Sequence, residues 1–563
     1  MSDIRSSGSF SKPDGFPEKL NIISFNADFE SGSFKTSGVI EEFNHPWIDL
    51  NLSGSLDLND FRKFLELDAV EELRGQFSVN VDFAGKFNEP SNITPEDLNK
   101  AKVSGIVQFS DARFQLLNAP HAFDELKGKF SLDNKNASIH HFTGSVEDSQ
   151  FSLKGSFENF LPFLLVKESR LKIKATFAST GLNFNSLLSD QSSSAEKDYH
   201  LAFPPDIDFD LDLSIDDVRF REFTATNVRG KATMKHQVLH LSPISLNTSQ
   251  GQFVAHASTD GRTPGKFTLD CDAQLADIDV NQLFKEFENF GQTFIQDHHL
   301  KGRATAVVDF EAEFDAALQF DPNKINSVVD VRLRDGELID LKSMRNISSY
   351  VSENGFVAPF VDEQALDSKL SHIYFATLEN EILINNGKIT VPKMEINSSA
   401  MDISAKGTHT FTNHIDYSIG FKIRDILSKS GESEFGVIED DGLSNSFFLS
   451  MEGHVDDPVF GYDRIAHKEK RKEDRQKEKD NVKSILKEEL GLFKNDPSVG
   501  SSETTDPKPS AETATITVSL GDDPEEDKTP APKPKKKRKG WLKADEDEKE
   551  KVTINIDDED EDY

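Results

Sequence analysis

Cysteine, tryptophan and tyrosine are almost missing from this 563-residue chain, which holds one Cys, two Trp and six Tyr. With Cys271 alone, no internal disulfide framework can form. No apolar run approaches the ~18–20 residues of a membrane-spanning helix. The opening residues, Met1 to Gly8, lack the apolar core of a secretory signal, so the chain reads as soluble and unaddressed. Basic residues are the minority, 64 against 99 acidic, for a net charge of −35. Phosphate backbones call for a basic footprint, so nucleic acid is not an expected partner. Catalytic signatures are also missing: no G-x-S-x-G elbow, no G-x-G-x-x-G, no phosphate loop and no H-E-x-x-H. Gly261 to Lys266 has the wrong spacing for a phosphate loop and reads as a turn. No catalytic residue, cofactor or metal is expected.

What the chain has in excess is phenylalanine, at 45 residues. Phe adds apolar area without a polar atom that must find a partner. Much of it falls in strict alternation with polar residues. In Asp206 to Ile215, the side chains of Ile207, Phe209, Leu211, Leu213 and Ile215 fall on one face of an extended strand, and Asp206, Asp208, Asp210 and Asp212 on the other. The pattern returns at Phe77–Phe83, Val308–Asp315 and Tyr417–Ile423. Such strands have one wet face and one dry face.

The alternating segments repeat. Gly128 to Ser156 aligns without a gap to Gly230 to Ser258, and a looser copy runs from Leu378 to Thr408. Each copy predicts strand, turn, strand, turn, strand. A second element turns from strand to short helix at Leu56–Phe61, Leu182–Leu187 and Ile278–Leu283, with an Asn in each as the expected N-cap. The expected fold class is mainly β: repeated antiparallel sheets with short crossing helices forming an elongated curved β-groove, then one charged α-helix and a disordered tail. The expected divisions are a flexible leader over 1–16, repeat units over 17–190, 191–300 and 301–462, a charged amphipathic helix over 463–493, and a disordered acidic/basic tail over 494–563.

Several residue clusters invite a sharper reading. The Asp206–Asp212 series lacks the Gly-driven turn of a calcium loop, and same-face neighbours on a strand lie about 7 Å apart, so it reads as a solvated strand face. His140-His141 lies inside a strand, where successive rings point oppositely, and His298-His299 lies in a polar stretch; neither has a partner at ligand spacing. Pro534 to Lys539 has the composition of a nuclear import signal or an anionic-lipid patch, but flanking acids make a self-neutralising tail the better reading, with a weak membrane-surface role left open.

The strand–helix repeats, the Leu333–Asp340 element leading into a helix, and the charged helix after Asp463 together resemble the AsmA-like proteins of Gram-negative envelopes, in particular their C-terminal region in Bacteroidota-type sequences. The resemblance covers about residues 17–493. It implies a non-enzymatic, periplasmic, bridge-type lipid carrier, concerned with phospholipid transport or outer-membrane assembly. It also implies phospholipid acyl chains as ligand, an envelope protein as possible partner, and an inner-membrane anchor that this sequence would need from a missing N-terminal segment. On this reading the groove is lined by Phe151, Leu153, Ile207, Phe209, Leu211, Leu213, Phe253, Val308, Phe310 and Phe314. For each, an ordinary core position under a second sheet or helix is an equal alternative. The rival function is a structural scaffold of closed β-sandwiches that recruits a partner through its C-terminal helix and tail.

Overall fold

The computed structural model describes residues 3–65, 70–89, 93–116, 121–167, 169–189, 199–353, 361–422 and 446–490. They form one open sheet of 23 strands. Every strand pairs with the strand before it and the strand after it, so spatial order follows chain order from one edge to the other.

The first ten strands are β1 (Asp3–Ser11), β2 (Lys19–Phe29), β3 (Gly32–Glu41), β4 (Trp47–Asp57), β5 (Val70–Lys86), β6 (Lys102–Leu116), β7 (Phe123–Asp133), β8 (Asn136–Val146), β9 (Ser149–Glu158) and β10 (Leu171–Asn183). Then follow β11 (Ile207–Phe220), β12 (Phe223–Lys235), β13 (Val238–Thr248), β14 (Gly251–Asp260), β15 (Lys266–Asp279), β16 (Leu300–Asp315) and β17 (Asn326–Ile339). The last six are β18 (His372–Asn385), β19 (Lys388–Asn397), β20 (Asp402–Thr410), β21 (His414–Lys422), β22 (Ser446–His454) and β23 (Asp457–Tyr462).

All pairings are antiparallel except one, β10 with β11. Antiparallel neighbours need only a turn, whereas this parallel step needs a crossover from one margin of the sheet to the other. Short helices mark the margins. On the first margin lie α1 (Leu58–Leu65), α4 (Phe184–Leu187), α5 (Val280–Glu286), α6 (Lys342–Glu353), α7 (Glu363–Ser371) and the start of α8 (Arg464–Leu490). On the second lie α2 (Pro95–Lys100) and α3 (Phe160–Leu165).

The sequence repeats return as repeated irregularities. Pairing slips between Ile139 and Phe142 in β8, between Leu241 and Ile244 in β13, and between Val391 and Met394 in β19, at matching places of the three copies. Pro243 and Pro392 fall inside two of these bulges, where no ladder hydrogen bond is lost to the ring. The same bulge corrects the expectation for His140 and His141. Both rings are exposed, because the slip breaks the alternation that would have sent them to opposite faces.

Three further expectations change. The leader over 1–16 contains β1, an exposed edge strand held by its ladder to β2, so its Ser-rich composition concealed a strand with no core to fill. Asn183 caps α4 as expected, its side chain accepting from the Asn185 N–H, but α5 is capped by Asp279, which accepts from the Gln282 N–H. Asp57 likewise accepts from the Asn59 N–H at 2.8 Å, so in two of the three helices the acid ahead of the Asn does the capping. Asn281 instead donates to the Asp297 carbonyl at 2.6 Å. The sheet continues without a gap across 300–301, while 190–191 falls in the crossover between β10 and β11. The Val482, Ile485, Leu486 and Leu490 side chains and residues 494–563, including the Lys535–Lys539 run, lie outside the described residues.

The largest core lies at the C-terminal end. There α6 and α7 pack Ile347, Val351, Leu366 and Leu370 onto Ile403, Ile415, Ile419, Leu449 and Met451 from β20 to β22. β18 and β19 pair over only three residues, Leu383 to Asn385, and so diverge to admit this core. Smaller clusters sit under α2 and α3 and beside α1.

Candidate functional site

Register, more than any single residue, builds the site. From Ile4 in β1, cross-strand partners run through Ala27, Phe34, Gly54, Val79 and Val107 to Phe130, Ile139, Gly155, Ala175 and Leu211. They continue through Ala232, Leu241, Ala257, Cys271 and Phe310, then Ser327, Ile384, Ile389, His409, Ile415 and Gly453, to Pro458 in β23. One line thus crosses all 23 strands without meeting a charged residue. The line displaced by one residue runs on the opposite face. From Arg5 through Asn26, Lys35 and Ser53 to Lys174, Asp210, Asp270, Glu311 and Lys388, it contains one apolar member, Ile106, as far as β20.

Neighbouring lines on the apolar face are similar. Leu56, Phe77, Phe109, Gly128, Phe142 and Leu153 pair in succession, followed by Phe177, Leu213, Gly230, Ile244, Ala255, Ala273 and Val308. Gly230 has φ +151°, and a Cβ there would collide with the Pro243 carbonyl across the bulge, so a side chain cannot enter at that point.

All ten expected lining residues lie on this face, and all ten are half-buried. Leu211 shares a line with Phe310, and Leu153 and Leu213 share one with Val308. Phe314 stacks on Phe267 with ring centroids 5.3 Å apart, and Phe151 on Phe177 at 6.4 Å. The core alternative holds at other positions: Ile415 and Ile419 are fully covered by the C-terminal helices.

The crossover supplies residues that alternation could not indicate. Phe203 packs edge-on against Phe267, placing the chain before β11 on the apolar face. The Leu201 N–H donates to the Ala316 carbonyl at 2.8 Å. From the first margin, Arg221 lies over the Tyr199 and Phe220 rings, each 5.4 Å away, and donates to the Leu318 carbonyl at 3.4 Å. Leu318 belongs to the loop after β16 on the second margin, and Phe320 of that loop folds back onto Phe310 and Phe314. Opposite margins meet here, so the apolar face is concave at this point and chain passes over it.

The acid series also changes character. Asp208, expected on the solvated face, is buried; it accepts from Arg170 Nη1 at 2.8 Å and from the His236 N–H at 2.9 Å. Burial alone would raise its carboxyl pKa, but the His236 amide and the Arg170 guanidinium outweigh it and hold the group below the ordinary range. Asp210 pairs with Lys231 at 3.1 Å in the ordinary solvated manner. Burial pushes the Cys271 thiol up, with Asp272 and Asp270 adding to the effect. His409 is buried against Phe294, and burial lowers its pKa.

Among the described residues, no group of three His, Cys, Asp or Glu is placed to hold a metal ion. Among them, too, no helix is long and apolar enough to cross a membrane. No protein-family model, curated protein or solved structure matches the chain.

Proposed function

We propose that the apolar face of β1–β17 is a surface for lipid acyl chains, and that the protein handles phospholipid in the manner of the AsmA-like envelope proteins it resembles. The observation that carries this reading is the uncharged line crossing all 23 strands, with residues such as Leu211 and Phe310 left half-buried. A closed sandwich would cover those side chains. A monomer that leaves a long contiguous apolar strip normally presents it to a ligand or partner. Apolar burial contributes about 25 cal/mol per Å² and demands no directional contact, which suits chains that bind loosely and slide. Polar headgroups would stay at the margins, where the charged side chains lie. Among the described residues of this face, burial raises the pKa of the Cys271 thiol and so disfavours the reactive thiolate. A periplasmic setting belongs to the same proposal.

The C-terminal core favours the scaffold reading for β20–β23 alone, because there α6 and α7 already occupy the apolar face. The test is mass spectrometry of lipid recovered with the full chain made in a bacterial envelope, beside the double variant Phe209→Asp/Phe310→Asp. Phospholipid on the parent and little on the variant is the expected outcome. A parent recovered without lipid would sink the reading.

A further inference from the structure

The second margin of the first ten strands differs from the first in two ways that bear on what it meets. It is greasy. Phe16, in the loop between β1 and β2, is 71 % exposed; Trp47, at the start of β4, is 41 % exposed; and in α3, Leu164 and Leu165 are 59 % and 55 % exposed. α3 is not a loose end, since Phe160 and Leu161 pack on the cluster of Phe130 and Ile139, and Pro162 is buried. The helix is anchored by one side and shows its two leucines on the other. At about 4.8 Å per strand, the loop bearing Phe16 and α3 are separated by roughly 40 Å along the margin.

This margin is also electrically balanced. Glu18 is matched by Lys12 at 2.6 Å, Glu41 by Lys19 at 2.8 Å, Glu42 by Lys86 at 3.0 Å and Glu96 by Lys100 at 2.7 Å. The first margin of the same strands turns on Glu30, Asp57, Asp60, Glu125 and Asp148. In a chain of net charge −35, the second margin is therefore where a surface can approach with least repulsion.

We propose that the second margin of β1–β10 docks on a lipid surface, with Phe16, Trp47, Leu164 and Leu165 entering the interface. Aromatic and leucine side chains set among lysines have the composition of interfacial segments that lie in the headgroup layer. The surface is zwitterionic, because an anionic one meets the charge of the whole chain. Trp47 lies on the polar face, between Glu41 and Lys86, so it reports docking and not occupation of the apolar face.

The test uses the full chain carrying Trp541→Phe, which leaves Trp47 as the single tryptophan. Vesicles of phosphatidylcholine with brominated acyl chains should quench Trp47 emission, and the protein should float with them. The triple variant Phe16→Ser/Leu164→Ser/Leu165→Ser, checked for a parent-like far-ultraviolet spectrum, should lower the floated fraction at least tenfold. Val307→Ser, at a position 54 % exposed on the polar face of β16, should leave it unchanged. Unquenched Trp47, or a triple variant that floats like its parent, overturns the proposal. Lipid uptake is read separately, from lipid carried by protein re-isolated after vesicle removal. Uptake without quenching leaves the acyl-chain surface standing and removes only the docking margin; quenching without uptake does the reverse.

Discussion

Arg221 and Leu318 join opposite margins of the sheet: the guanidinium at the turn between β11 and β12 donates to the carbonyl in the loop after β16, at 3.4 Å. Between them lie β12 to β16, with Cys271 in β15 on the apolar face beneath.

Loosening that junction should expose the thiol. Arg221→Ala removes a partly exposed contact and should cost under about 1 kcal/mol of stability. It should raise the rate at which Cys271, the chain's single cysteine, reacts with a bulky maleimide by several-fold. An unchanged rate in mass-spectrometric labelling would mean that the crossing chain does not control access. Bound phospholipid should slow the same reaction in the parent.

Truncation of leucines should distinguish the open and closed parts of the apolar face. Leu449, fully buried under α6 and α7, should lose about 3 kcal/mol on change to Ala. Half-buried Leu211 should lose about 1 kcal/mol, because water or ligand already borders it. Denaturant midpoints of the two variants give the comparison, and equal losses would argue that Leu211 is an ordinary core residue.

Asp208 anchors the second margin at the start of β11. Asp208→Ala leaves Arg170 and the His236 amide without their acceptor and should cost about 2–3 kcal/mol, whereas Asp208→Asn keeps one acceptor oxygen and should cost less. Its pKa is depressed in the fold. Its contribution is therefore present above the unfolded value of about 3.9 and is lost as pH falls toward the folded one. Stability measured between pH 5 and pH 3 on the parent and on Asp208→Asn should show that component only in the parent.

His409 works in the opposite chemical sense. Burial among Phe294 and the C-terminal core favours its neutral ring. A base with a lowered folded pKa contributes fully above its unfolded value of about 6.5, and loses that contribution as pH falls below it. Unfolding monitored near pH 5 should therefore show a parent weakened relative to pH 7.5. His409→Phe should flatten this part of the profile, and a slope that survives the substitution would assign it to another group.

Alternation made the two faces legible, because a period of two depends only on local sequence. Ile207 to Leu213 and Val308 to Phe314 fall on the face that their spacing dictates. The repeats were legible too, but the bulges they share around residues 140, 242 and 392 were not, which is why His140 and His141 were expected on opposite faces. Burial of Asp208 was not, because its partners arrive from Arg170, just before β10, and His236, in the turn after β12. Nor were Phe203, Arg221 and Phe320, which cover the apolar face from connecting segments. Their placement depends on the parallel pairing of β10 with β11, and strand direction leaves no mark on alternation.

A sheet whose strands pair strictly in chain order makes most of its contacts between chain neighbours, with the Arg221–Leu318 junction and the C-terminal core as the distant ones. Strand by strand the chain can zip onto its predecessor with its direction reversed, at every step but one. The exception is the crossover from β10 to β11, where a new strand must be laid down in the same direction across the full width of the sheet. Assembly should therefore advance quickly along two stretches and pause where they join. Damage within either stretch should spread no further than the neighbouring strands, as it does in a linear array of coupled repeats.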